Sequence, residues 1–104
     1  MRRGEVWWAD LPRPAGRRPV VLLSRDAAYA VRTAITVAPI TRTIRNIPVE
    51  VRLDRSDGLP AEGVVNLDDI MTIPKTVPKD RMTMPSGEKT AEIELAIRFA
   101  LDLA

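Results

Sequence analysis

Apolar residues in the first half of this chain fall in short runs, each stopped within a few positions by proline or glycine, a pattern that predicts strands. "GEVWWAD", residues 4–10, is rich in β-branched and aromatic side chains. As a strand it puts Val6 and Trp8 on one face and Glu5, Trp7 and Ala9 on the other. In the loop "LPRPAGRR" that follows, Pro12, Pro14 and Gly16 oppose regular structure. "PVVLLS" is a second strand, apolar on both faces and therefore central in a sheet. "RDAAYAVR" is short enough for one helical turn. "TAITVAPIT", residues 33–41, is a third strand in which Pro39 marks a bulge or an edge. After the polar turn "TRTIRN", the segment "IPVEVRLD" alternates, with Val49 and Val51 on one side and Glu50 and Arg52 on the other. "VVNL", residues 71–73 and "MTM" supply the remaining short strands.

The C-terminus changes period. Ser86 precedes "GEKTAEIELAIRFALDLA", and a serine N-cap with acid in the first turn is a helix start. At about 100° per residue, Ile93, Ala96, Ile97, Ala100 and Leu101 form one stripe. Leu95, Phe99 and Leu103 form a second on roughly the opposite side, and Glu94, Arg98 and Asp102 lie between. One stripe packs on this chain's own sheet. The other calls for a second body, since so small a chain has little left to cover two faces. Many short strands and one helix predict a mostly β fold of the α+β kind: residues 1–104 form one small, strongly bent antiparallel sheet or barrel with a C-terminal helix packed on it.

Composition narrows the chemistry. The 104 residues include no cysteine and no histidine, which removes thiolate catalysis, sulfur-ligated metals and His-based acid–base work. Net charge is only +2, but most arginines lie in residues 1–53, and a basic half invites a phosphate partner. No run reaches the roughly 18 apolar residues of a spanning helix, and no apolar region follows the basic pair at the start. The expectation is a cytoplasmic protein without a membrane partner. "RRPVVLLSRD" then stands out: Arg17 and Arg18 sit at the mouth of a buried strand with no acid beside them in sequence.

"RRGEVWWADL", "RRPVVLLSRD", "TVAPIT" and "VVNLDDIMTIPK", in this order and spacing, resemble the MazF/PemK toxin family. The likeness covers nearly the whole chain. It implies an SH3-like, CcdB-like barrel, a homodimer, and metal- and cofactor-independent cleavage of single-stranded mRNA. It further implies a cognate antitoxin that masks the RNA groove. The family's arginine before the proline of the second strand matches Arg18, and its hydroxyl residue closing the third strand matches Thr41. Those roles make chemical sense. RNA brings its own nucleophile, the 2′-OH, and a guanidinium can clamp the phosphate oxygens on which charge builds. A threonine hydroxyl adds a hydrogen bond. Arginine makes a poor proton acceptor, because its pKa lies above about 12.

The chain departs from that pattern twice. The family's loop before the arginine is usually longer, often with a "GSE" segment that supplies a carboxylate. Here "PRPAGRR" is short and acid-free, which leaves the proton acceptor unassigned. Asp68-Asp69 stands where the family often has Asp-Gln, and Asp69 is placed as an RNA contact on that ground.

Each assignment competes with a plainer one. Surface arginines are usually solvated, yet with Thr41 in register Arg18 is assigned to catalysis and Arg17 to a phosphate. A threonine at a strand end often serves a turn. Arg42, Thr43 and Arg45 look like a basic loop beside the groove. Of Trp7 and Trp8, alternation lets only one enter the core; the other lies under the groove or at an interface. Adjacent aspartates point apart on a strand, which argues against a metal pair. Leu95, Phe99 and Leu103 are expected to meet a second copy or the antitoxin. Two rivals share the barrel: a non-enzymatic gyrase poison, and an RNA-binding barrel without activity.

Overall fold

The computed structural model describes residues 1–104. Seven strands and two helices follow in order: β1 (Val6–Leu11), β2 (Gly16–Leu22), α1 (Ala28–Val31), β3 (Ala34–Thr41), β4 (Glu50–Leu53), β5 (Gly63–Asn66), β6 (Met71–Pro74), β7 (Pro78–Thr83) and α2 (Gly87–Ala100). The strands hydrogen-bond in the order β4-β5-β3-β2-β1-β7, with β6 also on β3, and every pairing is antiparallel. The sheet does not close into a ring, but it bends enough to hold a core on each side. No helix is long and apolar enough to cross a membrane.

Alternation along β2 and β3 explains the two cores. Val21, Ala38 and Ile40 face one cluster, with Val6, Val51 and Val65, and α2 covers it through Ile93 and Ala96. Val20, Leu22, Ile35 and Val37 face the other, with Ala9, Leu11 and Tyr29. The apolar-on-both-faces reading of the second strand therefore holds, and β2 is central. Val49, Val51 and Leu53 are buried while Arg52 between them is exposed, as alternation requires.

Several boundaries move. β2 begins at Gly16 rather than Pro19, so Arg17 and Arg18 are strand residues. The hairpin turn needs only residues 12–15, because Gly16 takes φ +68° and lets the chain reverse at once. The last strand spans Pro78–Thr83, earlier than "MTM" suggested, since it pairs with β1 rather than ending free. Pro39 is neither a bulge nor an edge, since it pairs with Val20 in unbroken register. It lies between the stretch of β3 that pairs with β6, ending at Val37, and the stretch that pairs with β5, starting at Ile40. A residue without N–H suits that change of partner.

Ser86 caps α2 as predicted, its Oγ accepting from the Lys89 N–H at 3.3 Å. Leu101 leaves the packing stripe: the helix stops at Ala100, Asp102 takes φ +56°, and Leu101 is 55% exposed. At the other end of the sheet, Glu5 is only 6% exposed. Its carboxylate accepts from the Arg2 N–H (2.7 Å), Trp7 Nε1 (3.2 Å) and Arg81 Nε (2.6 Å), tying the N-terminus to β7. Burial alone would raise the Glu5 carboxyl. The bonds from Arg81, Trp7 and Arg2 together outweigh it and hold the group below its ordinary value.

Candidate active site

A cleft of about 440 Å³ opens where β2 and β3 separate. The register explains why. β2 and β3 pair as Leu22 with Val37, Val21 with Ala38 and Val20 with Pro39, and there the ladder stops. The Leu23 amide donates to the Thr36 carbonyl at 2.9 Å, so odd-numbered residues of β2 turn their amides toward β3. The next such rung would need an N–H from Pro19, which has none. Beyond that point β2 stays with β1 (Ala9 with Arg18, Asp10 with Arg17) and β3 goes with β5 (Thr41 with Val64). Counting the β2–β3 register on by two residues sets Arg18 opposite Thr41, on one face of the parted strands. Both line the cleft, together with Arg17, Arg42 and Thr43.

Arg18 is half-buried and forms no ion pair with the protein. Its Nε donates to the Ala15 carbonyl at 2.8 Å. That bond fixes the plane of the guanidinium and leaves both Nη groups for a ligand. Thr41 Oγ1 accepts from the Thr43 N–H at 3.1 Å. The turn role weighed against Thr41 is thus present, yet it uses only the oxygen's lone pair. The hydroxyl proton stays available to an anion in the cleft.

Arg17 differs from Arg18 and from the sequence expectation. Cross-strand pairing brings Asp10 to it, with Nη1 and Oδ1 3.9 Å apart, so one of the two arginines has an acidic neighbour after all. Its guanidinium carbon also lies 4.8 Å from the centroid of the Trp8 ring, within cation–π range. Trp8 lines the cleft, and Trp7 packs on the second core with Nε1 bonded to Glu5. The two tryptophans thus divide as alternation demanded.

Two residues predicted for the groove, Arg45 and Asp69, are not among those lining the cleft. Arg45 joins the loop through its backbone: its N–H and that of Asn46 both donate to Glu50 Oε1, at 2.8 and 3.0 Å. Asp69 accepts from Asn66 Nδ2 at 3.0 Å in a 3-10 turn after β5, a local bond that sequence position could not reveal. The lining segment 59–63 was missed, and with it one residue able to do acid–base chemistry. Glu62, at the entry to β5, is the only acid among the residues around the cleft. It sits more than forty positions from Arg18, so only the β3–β5 pairing brings it near. Leu95, Phe99 and Leu103 are 68%, 62% and 55% exposed and touch nothing of this chain's core.

Comparison with known proteins gives a consistent result. The family described as PemK-like, MazF-like toxin of type II toxin-antitoxin system matches residues 2–101. A relative from Mycobacterium tuberculosis, called a probable endoribonuclease MazF5, is 41% identical over 101 residues, covering 96% of this chain and 92% of that one. An endoribonuclease MazF from Staphylococcus saprophyticus is 34% identical over 99% of this chain and 92% of its own length. Among solved structures, the Mycobacterium tuberculosis toxin MazF-mt6 superposes with a TM-score of 0.88 at 32% identity, covering 96% of this chain and 98% of that chain. An endoribonuclease in complex with its cognate antitoxin, from a mycobacterial species, gives 0.90 at 30% identity over 100% and 97%. With the match running almost end to end, this chain belongs to the PemK-like, MazF-like family of type II toxin–antitoxin toxins.

Proposed function

We propose that this chain is the toxin of a type II toxin–antitoxin pair, an endoribonuclease that cuts single-stranded mRNA internally at a short motif without ribosome, metal or cofactor. The observation that carries this reading is Arg18 opposite Thr41 across the cleft, one anchored through Nε and the other through its turn, both free toward the opening. An RNA phosphate seated there would have its non-bridging oxygens against two guanidinium N–H groups and one hydroxyl. The neighbouring 2′-OH attacks phosphorus, charge grows on those oxygens, and donors already aimed there stabilise it without reorganising. The 5′ oxygen leaves, giving a 2′,3′-cyclic phosphate and a 5′-OH. Arg17, Arg42 and Thr43 hold flanking phosphates and set the register of the strand. An mRNA substrate calls for a cytoplasmic setting.

The solved mycobacterial endoribonuclease in complex with its cognate antitoxin supports a protein partner of the same kind. An acidic, apolar antitoxin segment suits this basic cleft and competes with RNA around Arg18. The exposed stripe Leu95, Phe99 and Leu103 supports a further contact, with a second copy in a homodimer or with the antitoxin. The test is incubation of the purified protein with a long RNA, with and without EDTA, followed by mapping of the ends. EDTA-insensitive internal cuts with cyclic phosphate ends are expected. RNA binding without cutting, or gyrase inhibition with RNA left whole, overturns the reading.

A further inference from the structure

The chemistry above lacks a group to take the 2′-OH proton, since arginine holds its own proton too firmly. The hairpin loop offers no acid. Asp10, the nearest carboxylate on that side, lies against Arg17 and is not part of the cleft wall. Glu62 is, and it is the only carboxylate there.

Its placement is built by backbone packing. A Cβ on Gly63 would lie 2.9 Å from the Thr41 carbonyl oxygen and 3.1 Å from Ile40 Cγ2. Only glycine permits that approach, so the chain bearing Glu62 is pressed against the strand end bearing Thr41. From β4, Arg52 Nη2 meets Glu62 Oε1 at 2.9 Å. The pair occupies one carboxylate oxygen and orients the group, leaving the other oxygen to receive a proton. The arrangement is a clamp (Arg18, Thr41) and a carboxyl side chain on walls of one cleft.

We propose that Glu62 is the proton acceptor of this enzyme, filling from the β5 side the place that the acid-free hairpin loop leaves vacant. The inference rests on the cleft being the site of RNA cleavage. In the step, Glu62 takes the proton of the 2′-OH as the 2′ oxygen bonds to phosphorus. The P–O5′ bond breaks, the departing 5′ oxygen takes a proton from water, and Glu62 later returns its own to solvent. No water is consumed overall, and the products are the cyclic phosphate and the 5′-OH end.

The experiment compares wild type, Glu62→Gln and Glu62→Asp on a defined single-stranded RNA, by single-turnover rates from pH 4.5 to 9 together with RNA binding. General-base removal typically costs about 10²–10⁴-fold, and Glu62→Gln is expected to lose that much in kcat with RNA affinity held within about threefold. The acid limb of its pH profile should vanish, while Glu62→Asp keeps the limb at reduced rate. Wild-type rate and pH profile in Glu62→Gln, or a loss confined to KM, overturns the assignment while leaving the nuclease reading intact. A wild-type protein that fails to cut RNA overturns both.

Discussion

Arg18 and Thr41 hold matching register positions on the parted ends of β2 and β3, two beyond the last paired residues, Val20 and Pro39, and both line one cleft. Their roles can be separated because each is held by a different bond. Arg18→Ala removes the clamp but no core contact, so the fold should survive. Loss of one preorganised donor group costs about 10²–10³-fold in rate, and at least that drop is expected in RNA cleavage, with an unchanged thermal midpoint. Full activity in Arg18→Ala would falsify the assignment.

Thr41 is best probed by two variants. Thr41→Ser keeps both the acceptor for the Thr43 N–H and the proton for the phosphate. Thr41→Val keeps the shape and loses both. A hydrogen bond to a charged group is worth about 1.5–3 kcal/mol, so Val should slow cleavage roughly 10- to 100-fold and Ser should stay near wild type. Equal rates for the two would remove the hydroxyl from the mechanism.

Arg17 leans on Trp8 and faces Asp10, and the role proposed for it is binding a flanking phosphate rather than the reacting one. Arg17→Ala is expected to raise KM several-fold with kcat nearly unchanged. The slope of log affinity against log salt should fall by roughly 0.7, the value for one phosphate contact on a single strand. Titrations at three salt concentrations measure it.

The exposed stripe of α2 predicts self-association. Charging its centre, as in Phe99→Glu, leaves Ile93 and Ala96 in place and should preserve the fold. Sedimentation is expected to show a shift from dimer toward monomer at micromolar concentration. Unchanged mass with lost antitoxin binding would assign the stripe to the antitoxin instead.

Glu5 sets part of the acid stability. Its folded pKa is lowered, so its contribution is complete above the ordinary value of 4.5 and disappears as pH falls through the lower folded value. Wild type should therefore lose stability below about that ordinary carboxylate range, and Glu5→Gln should show lower stability at neutral pH with a flatter acid limb. Denaturant midpoints from pH 3 to 7 decide it; parallel curves would contradict the linkage.

Much of the fold was legible because periodicity reports which face is buried. The alternation of "IPVEVRLD", the doubly apolar second strand and the Ser86 cap all appear as read. What periodicity cannot carry is partner choice. Nothing local in "TAITVAPIT" says that β3 pairs with β6 at one end and β5 at the other, so Pro39 was read as a bulge or an edge. The site divided along the same line. Arg18 and Thr41 were singled out through motif order, and both line the cleft. Glu62 reaches the cleft only through β3–β5 pairing, and its loop reads as ordinary turn sequence. Arg45 and Asp69 looked exposed and polar, as they are, but polarity does not reveal that each is engaged in local bonding.

Pro19 gives the molecule an unusual kind of vulnerability. Where the β2–β3 ladder ends, Pro19 has no N–H with which to extend it. A residue with an amide at position 19 would offer β2 and β3 a further rung, and that bond would favour closing the entrance. Such a change can leave the chain at least as stable as before while disarming it. Cells that escape this toxin by mutation thus have a route through tighter folding as well as through damage, and a harmless variant at position 19 need not be a broken one.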